Sequence, residues 1–220
     1  MEKRWKGEAP FLLIDDSKAE RAKVASGQTL VRQITPRGGL KITSGIIHDW
    51  AATTFMKGVT LEQATAVVTD FDRHKKIYPE VAGSRLISRE GDVVRGFHRL
   101  MKKKVLTVVL NSEYEVRTVQ ISPTRAYTSS RSTKLVEVDD AGTKNEHELP
   151  EGVGHGFMWR LNAYWRFEAT PEGVFAECQA ITLTRDVPGA IAWMVNPFIQ
   201  DMPRESLRSM LESTRNALAR

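Results

Sequence analysis

The chain has 220 residues and one cysteine, Cys178, which excludes an intrachain disulfide and any site that needs two thiolates. No stretch approaches the roughly 20 apolar residues of a membrane span. The apolar run near the start, Phe11-Leu12-Leu13-Ile14, is too short for a secretory signal core, so the chain as written reads as soluble and cytoplasmic, with an exported form as the alternative if a signal peptide has been removed. Neither sign of charge dominates: 32 Lys and Arg stand against 27 Asp and Glu, a formal +5. Nucleic-acid binding needs basic residues gathered on one face. The only dense run is Lys102-Lys103-Lys104, so no nucleic-acid partner is expected. The bland reading of that run is a solvated turn; the sharper one is contact with phosphate or an anionic membrane surface.

Motifs of catalysis are also missing. The histidines His48, His74, His98, His147 and His155 include no His-x3-His or His-Glu-x-x-His spacing, and no Cys-x-x-Cys exists, so no metal site is expected. There is no Gly-x-Ser-x-Gly elbow, no phosphate loop and no dinucleotide fingerprint, and no cofactor is expected. Cys178 fits a small core residue better than a nucleophile, because a reactive thiol needs an electropositive, partly exposed site.

What is present is enough for an ordinary core. At 41% hydrophobic residues the chain is not disordered in composition, and its length suits one large domain or a small pair. Asp16 to Gly27 reads as a short helix, with Ser17 and Glu20 at capping-box spacing. Residues 1–39 then form an N-terminal extension and residues 40–220 the domain proper. Leu40 to Lys57 is extended. Thr60 and Gln63 open a helix that presents Leu61, Ala64, Val67, Val68 and Phe71 at spacings of three and four, and Pro79 closes it. Strand-like stretches follow to Val138, with turns at Arg89–Asp92 and Ser122–Thr124.

Asp139 to Gly156 is a long polar loop of the kind that often forms a lid, and it is expected to border a pocket mouth. From Phe157 to Ala169 apolar and polar residues alternate with period two, which only a strand does. Val174 to Arg185 is the next strand. Pro188 suits a helix start. Pro197 and Pro203 are expected to kink or interrupt the C-terminal helix, which then runs from about Arg204 to Ala219. Hairpin-sized connections make the sheet antiparallel, and a curved antiparallel sheet with a long helix across one face is an α+β solution.

The segment from Thr60 to Pro79, with Asp70-Phe71 ahead of the proline, is similar to the first helix and turn of the START/polyketide cyclase-like superfamily. Arg185-Asp186-Val187-Pro188 resembles its closing strand-to-helix junction. The resemblance covers roughly Leu40 to Ala219. It implies a helix-grip fold: a curved antiparallel β-sheet wrapped around a long C-terminal α-helix, here with an N-terminal helical extension.

Side-chain parity suggests a cavity independently. Val174, Ala176, Cys178, Ala180, Thr182 and Thr184 share one small-residue face of a strand. With Trp159, Leu161 and Trp165 on the neighbouring strand and Trp193, Met194 and Phe198 on the helix, they would line an apolar pocket. The expected ligand-binding set is therefore Trp159, Leu161, Trp165, Cys178, Ala180, Trp193, Met194 and Phe198. Simple core filling is the competing reading, and the resemblance tips the balance towards a pocket. The expected function is carriage or sensing of a hydrophobic small molecule such as a lipid or polyketide-like ligand. The alternative is a cyclase or dehydratase using an acid or base among His98, Tyr114, Arg131 and Arg160. A third reading is a membrane-surface adaptor that uses the lysine run.

Overall fold

The computed structural model describes Arg4 and residues 9–103, 107–155, 158–185 and 189–219, with the backbone alone over 189–201. Ser17 caps α1 (Lys18–Ala25) by accepting from the Glu20 amide. Three strands follow: β1 (Leu30–Gln33), β2 (Leu40–Ile42) and β3 (Gly45–Lys57). The capping box of Thr60 and Gln63 closes reciprocally at the start of α2 (Leu61–Val67). A second short helix, α3 (Phe71–Ile77), ends one residue before the Tyr78-Pro79 step. Then come β4 (Val81–Glu90), β5 (Val93–Lys103), β6 (Thr107–Ser122), β7 (Arg125–Asp139), β8 (His147–Glu148), β9 (Arg160–Thr170) and β10 (Gly173–Arg185), and finally α4 (Gly189–Leu218).

Every strand pairing is antiparallel, in the spatial order β1-β3-β10-β9-β7-β6-β5-β4, with β2 added to β3 and β8 to β7. The sheet is curved and α4 lies across one face, which makes this the helix-grip α+β fold. Directly opposed residues share a face, so the registers define two sides. On the helix face, Trp50, Ala52, Trp165, Phe167, Ala176 and Cys178 pack against Leu207 and Leu211 of α4, with Ala64 and Val67 of α2 closing the end. On the outer face, Phe55 and Phe175 are covered by Phe11, Leu12, Ile14 and Val24. The first forty residues thus supply both an outer cover and the edge strand β1, which pairs with β3 from Leu30↔Thr53 to Gln33↔Trp50.

One expectation is corrected in part: the prolines do not interrupt the C-terminal helix. α4 is a single helix of 30 residues that passes through Pro197 and Pro203 without a break. A helix-interior proline costs about 3 kcal/mol through a lost hydrogen bond and a ring clash. Tertiary packing of the apolar stripe at Leu207, Met210, Leu211 and Leu218 offsets that cost. At 1.5 Å per residue the helix is about 45 Å long, enough to span the sheet.

Gly96 shows how tightly α3 sits on the helix face. A Cβ there would lie 2.2 Å from the Phe71 ring. Gly96→Ala is therefore expected to cost about 1–3 kcal/mol, as overpacked sites do, read as a lower urea midpoint with an unchanged m value. A neutral result would mean that α3 is free to lift off the sheet.

Candidate functional site: the partly accessible wall of β9 and β10

Burial divides β9 and β10 along their length. From Trp165 to Glu168 and from Gly173 to Cys178 both strands are fully buried, whereas Leu161, Ala163, Ala180 and Thr182 on the helix face stay partly accessible. These are central strands, so their accessibility picks out the stretch of the helix face that Leu207 and Leu211 do not cover. The register continues the wall in rows. Trp50, Ala180, Ala163 and Ser130 lie in one row; His48, Thr182 and Leu161 lie in the next. On β6 and β5, Tyr114 stands opposite Ser132 and Gly96, and His98 opposite Ser112.

The polar groups of this wall have a definite hydrogen-bond order. His74 of α3 reaches the Val67 carbonyl through Nε2 at 3.0 Å and His98 Nε2 through Nδ1 at 2.8 Å. A carbonyl only accepts, so His74 Nε2 carries the proton. Neutral His74 then has a bare Nδ1, which accepts from His98 Nε2–H. That leaves His98 Nδ1 as a lone pair with no hydrogen bond among the described residues. Both rings stay neutral: burial lowers His74 below the usual histidine range, and burial followed by the neighbouring His74 takes His98 down to about 3. His98 nevertheless keeps some accessible surface.

Tyr114 lies beside it, with ring centroids 5.4 Å apart. Burial pushes its phenol up to about 12, against the pull of the nearby Ser112 hydroxyl, which is not aligned for a hydrogen bond with it. Ser112 gives its own hydrogen to the His98 carbonyl, and the Tyr114 hydroxyl has no hydrogen-bond partner among the described residues. The same holds for the buried Trp50 Nε1 across the sheet. Buried polar groups are nearly always paired, so two orphans on one wall are a local exception.

The loop after β7 closes over one end of this wall. Glu137, on the same face as Ser112 and Leu110, accepts from the His155 amide at 2.8 Å and from its ring, and its carbonyl accepts from Leu149 N. Gly154 has φ +118, and a Cβ there would meet the Glu137 carboxylate at 2.6 Å. Arg99–Glu146 and Lys134–Glu148 ion pairs hold the loop from outside.

The residues expected to form the site divide into three groups. Leu161 and Ala180 are on the accessible wall, and Trp159 lies half-buried just before β9, its amide bonded to the Leu183 carbonyl. Trp165 and Cys178 share the same face but lie where Leu207 and Leu211 pack, at 5% and 0% exposure. Burial raises the Cys178 thiol well above its usual range, the state of an inert core thiol. Trp193, Met194 and Phe198 fall in the segment whose side chains lie outside the described residues.

Of the four candidate acid–base groups, His98 and Tyr114 come together, whereas Arg131 and Arg160 are exposed. Sequence reasoning missed His74, His48 and Trp50; the gap at Gly96 that admits α3 was the only signal available for the first. Among the described residues no cluster of metal-ligating side chains occurs, and no helix is long and apolar enough to cross a membrane. Lys102 lies on the helix face of β5, held by Glu80 and Ser206, while Lys103 is exposed and Lys104 lies outside the described residues. A separate groove of about 490 Å³, between Gly27, Met56 and Arg215 at the far end of α4, shares no residue with the wall.

Comparison with solved structures places this architecture. A STAR-related lipid transfer protein from Xanthomonas axonopodis is similar over 83% of this chain and 97% of its own, with TM-score 0.51 and 15% identity. The Zhui aromatase/cyclase from Streptomyces sp. R1128 matches over 79% and 94%, with TM-score 0.53 and 10% identity. Human STARD10 matches over 91% and 78%, with TM-score 0.51 and 12% identity. No family model and no curated protein matches the sequence. The fold is thus the helix-grip fold of the START and polyketide cyclase-like proteins.

Proposed function

We propose that this chain binds a hydrophobic small molecule between the helix face of the sheet and the first half of α4. The observation that carries this reading is the partly accessible surface of Leu161, Ala163, Ala180 and Thr182 in the centre of the sheet. Mostly apolar walls with a few placed polar groups are what small-molecule sites present. The lipid-transfer and aromatase/cyclase proteins that share the fold support the same use of the space. The loop that grips Glu137 borders the mouth, and Leu161 and Ala180 belong to the wall, with Trp159 beside them.

The histidine pair and Tyr114 favour a second reading, a cyclase or dehydratase that works by acid–base chemistry. The pKa values weigh against it. A general base works best when its conjugate acid titrates near the working pH, and His98, taken down to about 3, is a weak base at neutrality. Binding is therefore the first reading.

Native mass spectrometry after gentle purification tests it. The expected result is an apolar adduct released by organic solvent, and its loss in Ala163→Phe, with circular dichroism of that variant checking that the fold is kept. A chain that stays empty and takes up no apolar probe would overturn the proposal.

A further inference from the structure

The order of hydrogen bonds on the wall narrows the chemistry of what can be bound there. This step rests on the binding reading above. His98 Nδ1 is fixed as an acceptor, because the chain from Val67 O through His74 consumes the only ring proton, the one on Nε2. The Tyr114 hydroxyl beside it can give and accept one hydrogen bond, does neither among the described residues and is sealed from solvent, so a ligand that bonds it must displace what now covers it. A ligand group that satisfies both must itself donate and accept.

Charge is disfavoured in either sign. An anion would face the lone pair of His98 Nδ1 and, on the same side of the sheet, the carboxylate of Glu137. The nearest cation on that face of β5, Lys102, is committed to Glu80. A cation would find Glu137 already accepting from the amide and ring of His155. An ion moved from water into such an apolar space without a full set of partners pays a large desolvation penalty.

We infer that the bound molecule is uncharged and carries a hydroxyl group, which donates to His98 Nδ1 and exchanges a hydrogen bond with the Tyr114 hydroxyl. The wall reads the polar end of an otherwise apolar molecule by donor–acceptor order rather than by charge. It therefore separates an alcohol or phenol from the acid, amine or ether of the same length. Such sites discriminate strongly, because a ligand lacking the group leaves the buried partners unpaired.

Four probes of one chain length test this: decan-1-ol, decanoate, decylammonium and decyl methyl ether. Each competes against the neutral fluorophore N-phenyl-1-naphthylamine on the full chain at neutral pH. The alcohol is expected to bind about tenfold more tightly than each of the others, the size of one net hydrogen bond. Tyr114→Phe removes one oxygen without changing the packing and should cut the advantage of alcohol over ether several-fold. Decanoate or decylammonium binding as tightly as the alcohol would overturn the inference and leave the binding reading standing. So would an unchanged alcohol preference in Tyr114→Phe. Failure of the fluorophore and all four probes to bind would overturn both.

Discussion

Glu177→Gln should destabilise the chain by about 3–5 kcal/mol, the cost of breaking a buried ion pair by removing one partner. Glu177 and Arg166 stand opposite each other on β10 and β9, on the outer face, with both side chains at 0% exposure. Arg166 Nη2 lies 2.6 Å and Nε 2.8 Å from Glu177 Oε1. The other oxygen, Oε2, accepts from the Leu13 amide at 2.7 Å and from the Thr53 hydroxyl at 3.0 Å. Four donors therefore converge on one carboxylate. An amide of the same shape loses the charge and must also turn an NH₂ group towards either Arg166 or the Leu13–Thr53 pair. Whichever it faces, donors meet donors.

The effect has a local signature. The Leu13 bond fastens the short turn Leu13–Asp16 onto the sheet, so the variant should release this outer cover before the rest unfolds. Urea denaturation gives the global loss, and faster hydrogen exchange at the Leu13 amide gives the local one. Replacing both partners by apolar residues, Arg166→Met with Glu177→Leu, should recover most of the loss, because the desolvation penalty of two charges disappears with them. A single-variant loss below about 1 kcal/mol would show that the pair reaches water.

The alternation from Phe157 to Ala169 shows why the sheet was legible and its outer cover was not. Period two assigns Arg166 and Glu168 to one face and Trp165 and Phe167 to the other, as the registers have it. The period carries no information on what covers a face. Parity opposite to the tryptophans leaves open whether a charged residue meets solvent or the N-terminal extension: Arg160 is exposed, whereas residues 11–24 fold back over Arg166. Local codes transferred well: Ser17 with Glu20, Thr60 with Gln63, and the turn at Gly91 are set by neighbours in sequence. The prolines of α4 did not, since their local penalty is met by packing from distant strands.

The site was half legible for the same reason. Leu161 and Ala180 follow from parity. Trp165 and Cys178 share that parity, but which part of a strand lies under the tightly packed half of a helix is a tertiary matter. His98 and Tyr114 could be singled out as polar residues on strands. Their partner His74 lies in a short helix rich in charged residues, and only the docking of Phe71 onto Gly96 brings it to the wall.

The same histidines make acid a strong perturbant. For His98 the folded value of about 3 lies below the ordinary 6.5, because burial and then His74 disfavour the charged ring. A depressed value means that protonation favours the unfolded chain. The contribution is fully present above pH 6.5 and is lost as the pH falls from there towards 3. Between pH 7 and pH 4.5 this one group should remove roughly 2.5 kcal/mol of stability, at 1.36 kcal/mol per pH unit. His74 and His48 are also lowered by burial and act in the same direction, with Asp70 and Asp72 opposing the shift at His74. Asp49, raised by burial, works the other way, since protonating it favours the folded chain. Glu146 and Glu148, both held below the ordinary carboxylate range by hydrogen bonds, lose their contribution only at more acid pH. Across the window from 6.5 to 4.5 the buried histidines therefore lower stability as acid is added, and Asp49 opposes them. In His98→Gln the side-chain amide can still donate to His74 Nδ1, but nothing there titrates. Urea midpoints measured across the window should fall less steeply with acid than in the parent chain, the difference corresponding to about one proton. An identical slope in the two chains would mean that His98 titrates like a histidine in water, and that the wall it stands on is open to solvent.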